Sequence, residues 1–237
     1  MSVNSHYLDL MGITTWTRRG LPREDEGSMD TDTGPPPMPA PDNVQASSNL
    51  DELQVAVSGC SQCALSETRT QTVFGVGNPN ASVMIIGEAP GADEDRLGEP
   101  FVGRAGKLLN AMLAAIGIRR EDVYIVNILK CRPPRNRDPQ ADEVSACSPF
   151  LHRQIEWVDP SLIVAVGRIA AQTLLQSTTP IGRLRGRPHQ YRERPLLVTY
   201  HPAYLLRSPG EKRKAWEDLK QIRAHLRTAS VTRGGTA

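Results

Sequence analysis

Residues 82–109 read SVMIIGEAPGADEDRLGEPFVGRAGKLL. A short apolar, β-branched run ends at Gly87 and opens into a segment rich in glycine, with two prolines, the acids Glu88, Glu94 and Asp95, and a single phenylalanine, Phe101. Glycine and proline at that density specify a tight loop, because each permits or fixes backbone angles that other residues avoid. A fixed loop carrying acids and an aromatic beyond a buried strand is where α/β proteins place their chemistry.

Three further runs resemble the one that opens this stretch. They are DVYIVNI (122–128), SLIVAVG (161–167) and RPLLVTY (194–200). Apolar on both alternating positions and bounded by turn residues, they predict strands buried on both faces, as in a parallel sheet. Helical patterns lie between them. Residues 103–117 place Leu108, Leu109, Met112, Leu113 and Ile116 on one stripe, and helices are also expected over 50–57, 139–156, 168–176 and 211–227. Alternating strands and helices predict a three-layer α/β/α domain over residues 50–228 with a four-stranded parallel sheet. Ligands of such sheets bind beyond the carboxyl ends of the strands. There the chain presents Gly87 and Glu88, Asn127, and His201. One Asn or His at a strand end is most often a local cap. Three polar strand ends at one edge predict a pocket offering a carboxylate, an amide and an imidazole.

Composition narrows the class. With 237 residues, 39% hydrophobic, the chain can bury one good-sized core. No apolar run approaches the roughly 20 residues that span a bilayer. The first residues lack a basic-then-apolar signal, which predicts no membrane partner and a cytoplasmic protein. The net charge of +2 combines an acidic first fifty residues with a basic remainder, a balance compatible with nucleic-acid binding. Residues 24–49, with five prolines and several acids, read as a linker, and 229–237 as a flexible tail. Residues 1–23 carry Ile13 and Trp16 in an apolar cluster, predicting a short peptide that docks on a partner.

The four cysteines are Cys60, Cys63, Cys131 and Cys147. A C-x2-C pair with two more thiols is a four-ligand set, and in a cytoplasmic chain it argues for metal over disulfides. Zinc more often shows two C-x2-C knuckles. The asymmetric spacing favours an iron–sulfur cluster, with zinc and no metal left open.

The loop GEAPGADEDRLGEPFVGRAGKLL, the strings NILKCRPPRNRDP and TYHPAYLLR, and the cysteine layout together resemble family 4 uracil-DNA glycosylase over residues 60–226. The resemblance implies a structural [4Fe-4S] cluster on the four cysteines and hydrolysis of the N-glycosidic bond of uracil in DNA. It implies that Gly87, Glu88, Ala89, Phe101, Asn127 and His201 hold the flipped base, with Phe101 stacking on it and Asn127 pairing with its edge. Glu88, Glu94 and His201 are the catalytic candidates, with the relative parts of the two acids undecided and Asp95 expected to close the loop. Arg132, Arg135, Arg185, Leu205 and Arg207 are expected to meet DNA, with Leu205 and Leu206 wedging into the base stack. A related group that bonds covalently to uracil-containing DNA has a basic insertion ending in histidine after the second strand; RPPRNRDP lacks it, which predicts turnover. MGITTWTRRG resembles the start of the psi subunit of bacterial DNA polymerase III, implying that residues 1–23 dock on the clamp loader. The competing readings are a glycosylase for another deaminated base and a non-catalytic DNA-binding relative.

Overall fold

The structure, a computed structural model, describes Val44 and residues 47–233, with side chains to Thr228. Ile13 and Trp16, and with them the expected docking peptide and most of the 24–49 linker, lie outside the described residues.

The elements in chain order are α1 (Leu50–Ser58), β1 (Val76–Gly77), β2 (Val83–Gly87), α2 (Ala92–Leu97), α3 (Arg104–Ala115) and β3 (Tyr124–Asn127). There follow α4 (Ala141–Val158), β4 (Leu162–Val166), α5 (Arg168–Leu175), α6 (Ile181–Leu184), β5 (His189–Tyr191), β6 (Arg194–Thr199), α7 (Pro202–Arg207) and α8 (Lys212–Arg233). The sheet order is β1-β3-β2-β4-β6-β5. The four predicted strands form its parallel centre, β3-β2-β4-β6. Two short antiparallel strands extend that centre to six, β1 on β3 and β5 on β6. They lack the apolar run that marks a central strand, so the pattern of the sequence passes over them.

Strand alternation divides the core into two layers. Met84, Ile86, Val126, Ile163 and Ala165 pack with Leu151 and Ile155 of α4 and with Ala170, Ala171 and Leu174 of α5. Val83, Ile85, Ile125 and Val164 pack with Leu109, Met112 and Leu113 of α3, Leu205 of α7 and Leu219 and Ile222 of α8. A smaller group, Leu53, Val57, Phe74 and Phe150, seats α1 on α4. Asn49 caps α1 by accepting the Glu52 amide at 2.8 Å, and that helix runs out at Gly59 immediately before Cys60.

Two local expectations change. The 87–109 segment contains a helix of its own, α2, and α8 continues to Arg233 beyond the expected end at 227.

Candidate active site

The pairing of the central strands brings the polar strand ends together. Gly87 lies opposite Asn127 in the β2–β3 register. The pairing runs on past both strands, with Ile128 N–H donating to Gly87 O at 3.0 Å and Leu129 N–H to Glu88 O at 3.1 Å. Across the sheet, Gly167 N–H donates to Thr199 O at 2.9 Å, holding the end of β4 beside the strand that leads to His201. The result is an open cleft of about 710 Å³ whose lining includes Glu88, Ala89, Glu94, Phe101, Asn127, Asp138, Arg168, Tyr204, His201 and Arg207.

Gly87 is the point on which Asn127 and Phe101 converge. A Cβ there would lie 2.3 Å from Asn127 Oδ1 and 2.7 Å from Phe101 Cζ, so only glycine lets the amide and the ring converge. Asn127 is 2% exposed, and among the described residues its side-chain amide has no hydrogen-bond partner. The amide borders the cleft with donor and acceptor both open, an arrangement that a ligand edge would complete. Phe101 and His201 rings stack at 5.5 Å between centroids, 29° apart. Phe101 has φ +54°, the left-handed region, which costs a side-chain-bearing residue about 1–3 kcal/mol and persists only where neighbours impose it. Its carbonyl packs against α3 so closely that a Cβ on Gly106 would fall 1.7 Å from it.

His201 Nδ1 accepts the Ala203 N–H at 3.1 Å. An accepting Nδ1 leaves the ring hydrogen on Nε2. Burial lowers the imidazole pKa to about 4, Arg207 acting in the same direction and Glu94 opposing. His201 is therefore a neutral donor through the physiological range.

The two candidate acids differ sharply. The Glu88 carboxylate accepts no hydrogen bond among the described residues. Burial and the nearby Asp138 raise its pKa to about 7, against the pull of Arg168. Glu94 accepts Val102 N–H at 3.0 Å and Gly103 N–H at 3.2 Å on Oε1, and Gly91 N–H at 3.1 Å on Oε2. Both its oxygens are occupied by the loop. Asp95 also closes the loop, accepting Thr70 N–H at 2.9 Å and Thr70 Oγ1–H at 2.7 Å.

Two residues expected to meet DNA are placed otherwise. Leu205 is 1% exposed in the α3/α8 core layer, so it cannot wedge into a base stack; Tyr204 and Leu206 are the exposed large hydrophobic residues of α7. Arg185 donates to both Asp218 oxygens, at 3.0 and 2.7 Å, and to Lys214 O, with its guanidinium 5.3 Å from the Tyr200 ring centroid. Its side chain is 14% exposed. In the sequence a core leucine and a surface leucine in LL read alike. Arg207 lines the cleft, Arg135 is exposed, and Arg132 is tied to Asn136 Oδ1 at 2.8 Å.

Sequence reasoning passed over Arg168, Asp138, Arg120 and Lys130. Arg168 follows Gly167 at the end of β4, the one central strand end from which no polar residue was taken; it pairs with Asp138 at 2.6 Å beside Glu88. The other two carry no signal in spacing or composition.

The four cysteines, all free thiols, line a second, separate pocket with Arg69, Lys130 and Phe150. Among the described residues no three His, Cys, Asp or Glu side chains converge as a single-ion site requires; the thiols ring the pocket. Arg69 Nη1 donates to Cys131 Sγ at 3.1 Å and Lys130 N–H to Cys147 Sγ at 3.3 Å. Burial raises the Cys63 and Cys131 thiols and takes Cys147 to about 12. Lys130, 1% exposed, reaches from this pocket to Asn127 O at 2.8 Å. Four clustered thiols, Cys131 buried and the other three half-buried, with the Arg69 guanidinium donating to one and a backbone N–H to another, match the donor set of an anionic thiolate-bound group.

Fold and cleft thus define an α/β protein that gathers an aromatic face, an open amide and a neutral imidazole beyond the carboxyl ends of its strands. The family profile described as "Uracil DNA glycosylase superfamily" matches residues 74–220. The type-4 uracil-DNA glycosylase of Archaeoglobus fulgidus is 46% identical over 182 residues, covering 73% of this chain and 92% of the relative. Those of Sulfurisphaera tokodaii and Thermotoga maritima are 43% and 42% identical, over 74% and 75% of this chain and 84% and 95% of theirs. The chain belongs to the uracil-DNA glycosylase superfamily, among relatives of type 4. Among the described residues no helix is long and apolar enough to cross a membrane.

Proposed function

We propose that this cleft is where the chain, a uracil-DNA glycosylase, hydrolyses the N-glycosidic bond of uracil in DNA. The observation that carries the reading is the buried, unpartnered Asn127 amide facing Phe101 across Gly87. A base inside duplex DNA cannot reach such a pocket, so it must be flipped out. Phe101 then offers a stacking face. The Asn127 amide donates to O4 and accepts from N3–H, a pairing that cytosine, with a donor and an acceptor exchanged, does not satisfy.

As the bond between N1 and C1′ breaks, its electron pair goes to the uracil ring and negative charge develops on O2. His201, neutral with its hydrogen on Nε2, donates to that oxygen without giving up its proton, which is the logic of an oxyanion hole. C1′ acquires oxocarbenium character. Ionised Glu88 stabilises that charge and takes the proton of the water that attacks C1′, leaving an abasic sugar. We assign this part to Glu88 and not to Glu94, whose oxygens are held by three amides. Glu94 instead fixes the loop around the base.

The pocket lined by all four thiols supports a [4Fe-4S] cluster on Cys60, Cys63, Cys131 and Cys147, since four cysteine thiolates are the ligand set such a cluster takes. Bound there it supplies a cross-link between the end of α1, the segment after β3 and α4, and hydrolysis requires no electron from it. Iron and acid-labile sulfide in the purified protein, with zinc absent, test this. DNA affinity is proposed to come from Arg132, Arg135 and Arg207 on phosphates. We also propose a cytoplasmic location and docking of residues 1–23 on the polymerase III clamp loader. Deleting residues 1–24 should then abolish clamp-loader pull-down and leave excision on free oligonucleotides unchanged.

The deciding experiment measures uracil release from single-stranded and U:G duplex oligonucleotides by wild type and Asn127→Ala. Release by wild type and its loss in the variant are expected. No release by wild type defeats the reading, and undiminished release by the variant defeats the assignment of Asn127.

A further inference from the structure

Phe101 holds a strained backbone, and one side chain outside the cleft accounts for how. Arg120 lies in a single turn between α3 and β3 and does not line the cleft. Its guanidinium donates to Phe101 O at 3.3 Å, Pro100 O at 2.6 Å, Glu99 Oε1 at 3.0 Å and Asn110 Oδ1 at 3.1 Å. Three consecutive residues leading into the left-handed turn are thereby fastened to one planar fork, and Asn110 ties that fork to α3. On the far side of Phe101 the next two amides, Val102 and Gly103, are held by Glu94. The strained residue is clamped from both sides.

We propose that Arg120 is a positioning residue for base recognition, holding Phe101 at φ +54° so that its ring stays against Gly87 and His201. The inference rests on the reading of Phe101 as the base-stacking face. Charge alone does not suffice for this task. Five donors in a rigid plane can satisfy two carbonyls, a carboxylate and an amide oxygen together, whereas a lysine ammonium presents three donors from one point. With the fork gone, Phe101 is free to relax toward ordinary backbone angles and carry its ring out of register with the base.

The test uses the full-length chain and two readouts: steady-state kinetics on a single-stranded uracil oligonucleotide, and inhibition by free uracil. Free uracil reports on the stacking face without flipping or bond cleavage. Arg120→Lys is expected to raise KM and the uracil inhibition constant each by about tenfold, with kcat changing much less, as for loss of charge-assisted hydrogen bonds that act on binding. Glu99→Gln, which removes the ion pair and leaves Arg120 in place, should shift uracil inhibition in the same direction by less. Thermal melting sets the assay below the transition of every variant. If Arg120 acts through Phe101, Arg120→Lys adds little on a Phe101→Ala background, since the ring it positions is already gone. Uracil inhibition unchanged in Arg120→Lys overturns the proposal, as does an effect that adds in full on that background. A Phe101→Ala variant with wild-type uracil inhibition is a different failure: it removes the stacking reading itself and the inference with it.

Discussion

The two ends of the 87–103 segment are built on opposite plans. At Gly87–Pro90 the backbone continues the sheet, while the carboxylate of the one acid, Glu88, is left half-buried with no hydrogen bond among the described residues. At Gly91–Gly103 the acids are engaged: Glu94 by three amides, Asp95 by Thr70, Glu99 by Arg120, and Asp93 by an exposed ion pair with Arg96 at 3.5 Å. One end is left unsatisfied and the other is fully tied. Placing an uncompensated carboxylate in a desolvated cleft raises its proton affinity, which is what a base working near neutral pH requires. Tying the remaining acids into amides gives the rigid wall against which that base can be aimed.

Glu88→Gln is the strongest way to break this contrast. The substitution keeps size and removes the base, so kcat should fall by about 10²–10⁴-fold with little change in KM. Glu94→Gln should behave in the other sense, mainly raising KM and lowering the melting temperature, because a neutral amide oxygen accepts the three backbone N–H groups less strongly than a carboxylate. The stability lost is on the order of 2 kcal/mol. Equal falls in kcat for the two variants would mean that the loop does not separate their roles.

The pH dependence sharpens the same point. With Glu88 near 7 and required as the ionised form, kcat/KM should rise with pH to a plateau, with its midpoint near 7. His201, held neutral down to about 4, adds no limb between pH 5 and 8. Glu88→Gln should remove the limb. For stability the sign is reversed: a carboxyl whose folded pKa is raised favours the folded state at low pH and loses that benefit as pH climbs from about 4.5 to 7. Glu88→Gln should therefore be more stable than wild type at pH 8 by about 1–3 kcal/mol, measured by urea unfolding, and no more stable at pH 4.

How far the sequence discloses these features follows from their physics. The four parallel strands are legible because burial on both faces demands unbroken apolar runs, as in VMIIG and LIVAV. The edge strands, two and three residues long, carry no such demand. Glu88, Asn127 and His201 stand at or just beyond strand ends, so topology alone assembles them into the cleft. Which acid is free and which is tied depends on amides that reach back across eight or nine residues, as from Val102 and Gly103 to Glu94. That arrangement exists only once α2 has formed. Arg120 and Lys130 act through backbone carbonyls, and a carbonyl has no residue identity for a pattern to reveal.

The arginines repeat the contrast of free and tied charge at smaller amplitude. Arg135 is exposed in the turn after β3, while Arg185 is folded onto Asp218, which also accepts Thr199 Oγ1–H at 3.0 Å. A phosphate contact releases a counterion, so Arg135→Ala should reduce the slope of log affinity against log salt by about one, measured on uracil-free duplex, and leave melting unchanged. Arg185→Ala should leave that slope alone. It strands a carboxylate that burial already holds above its ordinary pKa, and should lower stability by about 3 kcal/mol. Asp218, which the Arg185 pair holds in place, fastens α8 to β6 through Thr199, one residue before Tyr200 and two before His201, so this loss should appear in melting before it appears in salt dependence. A salt slope that falls for Arg185→Ala and not for Arg135→Ala would show that the tied arginine, and not the exposed one, meets the phosphates.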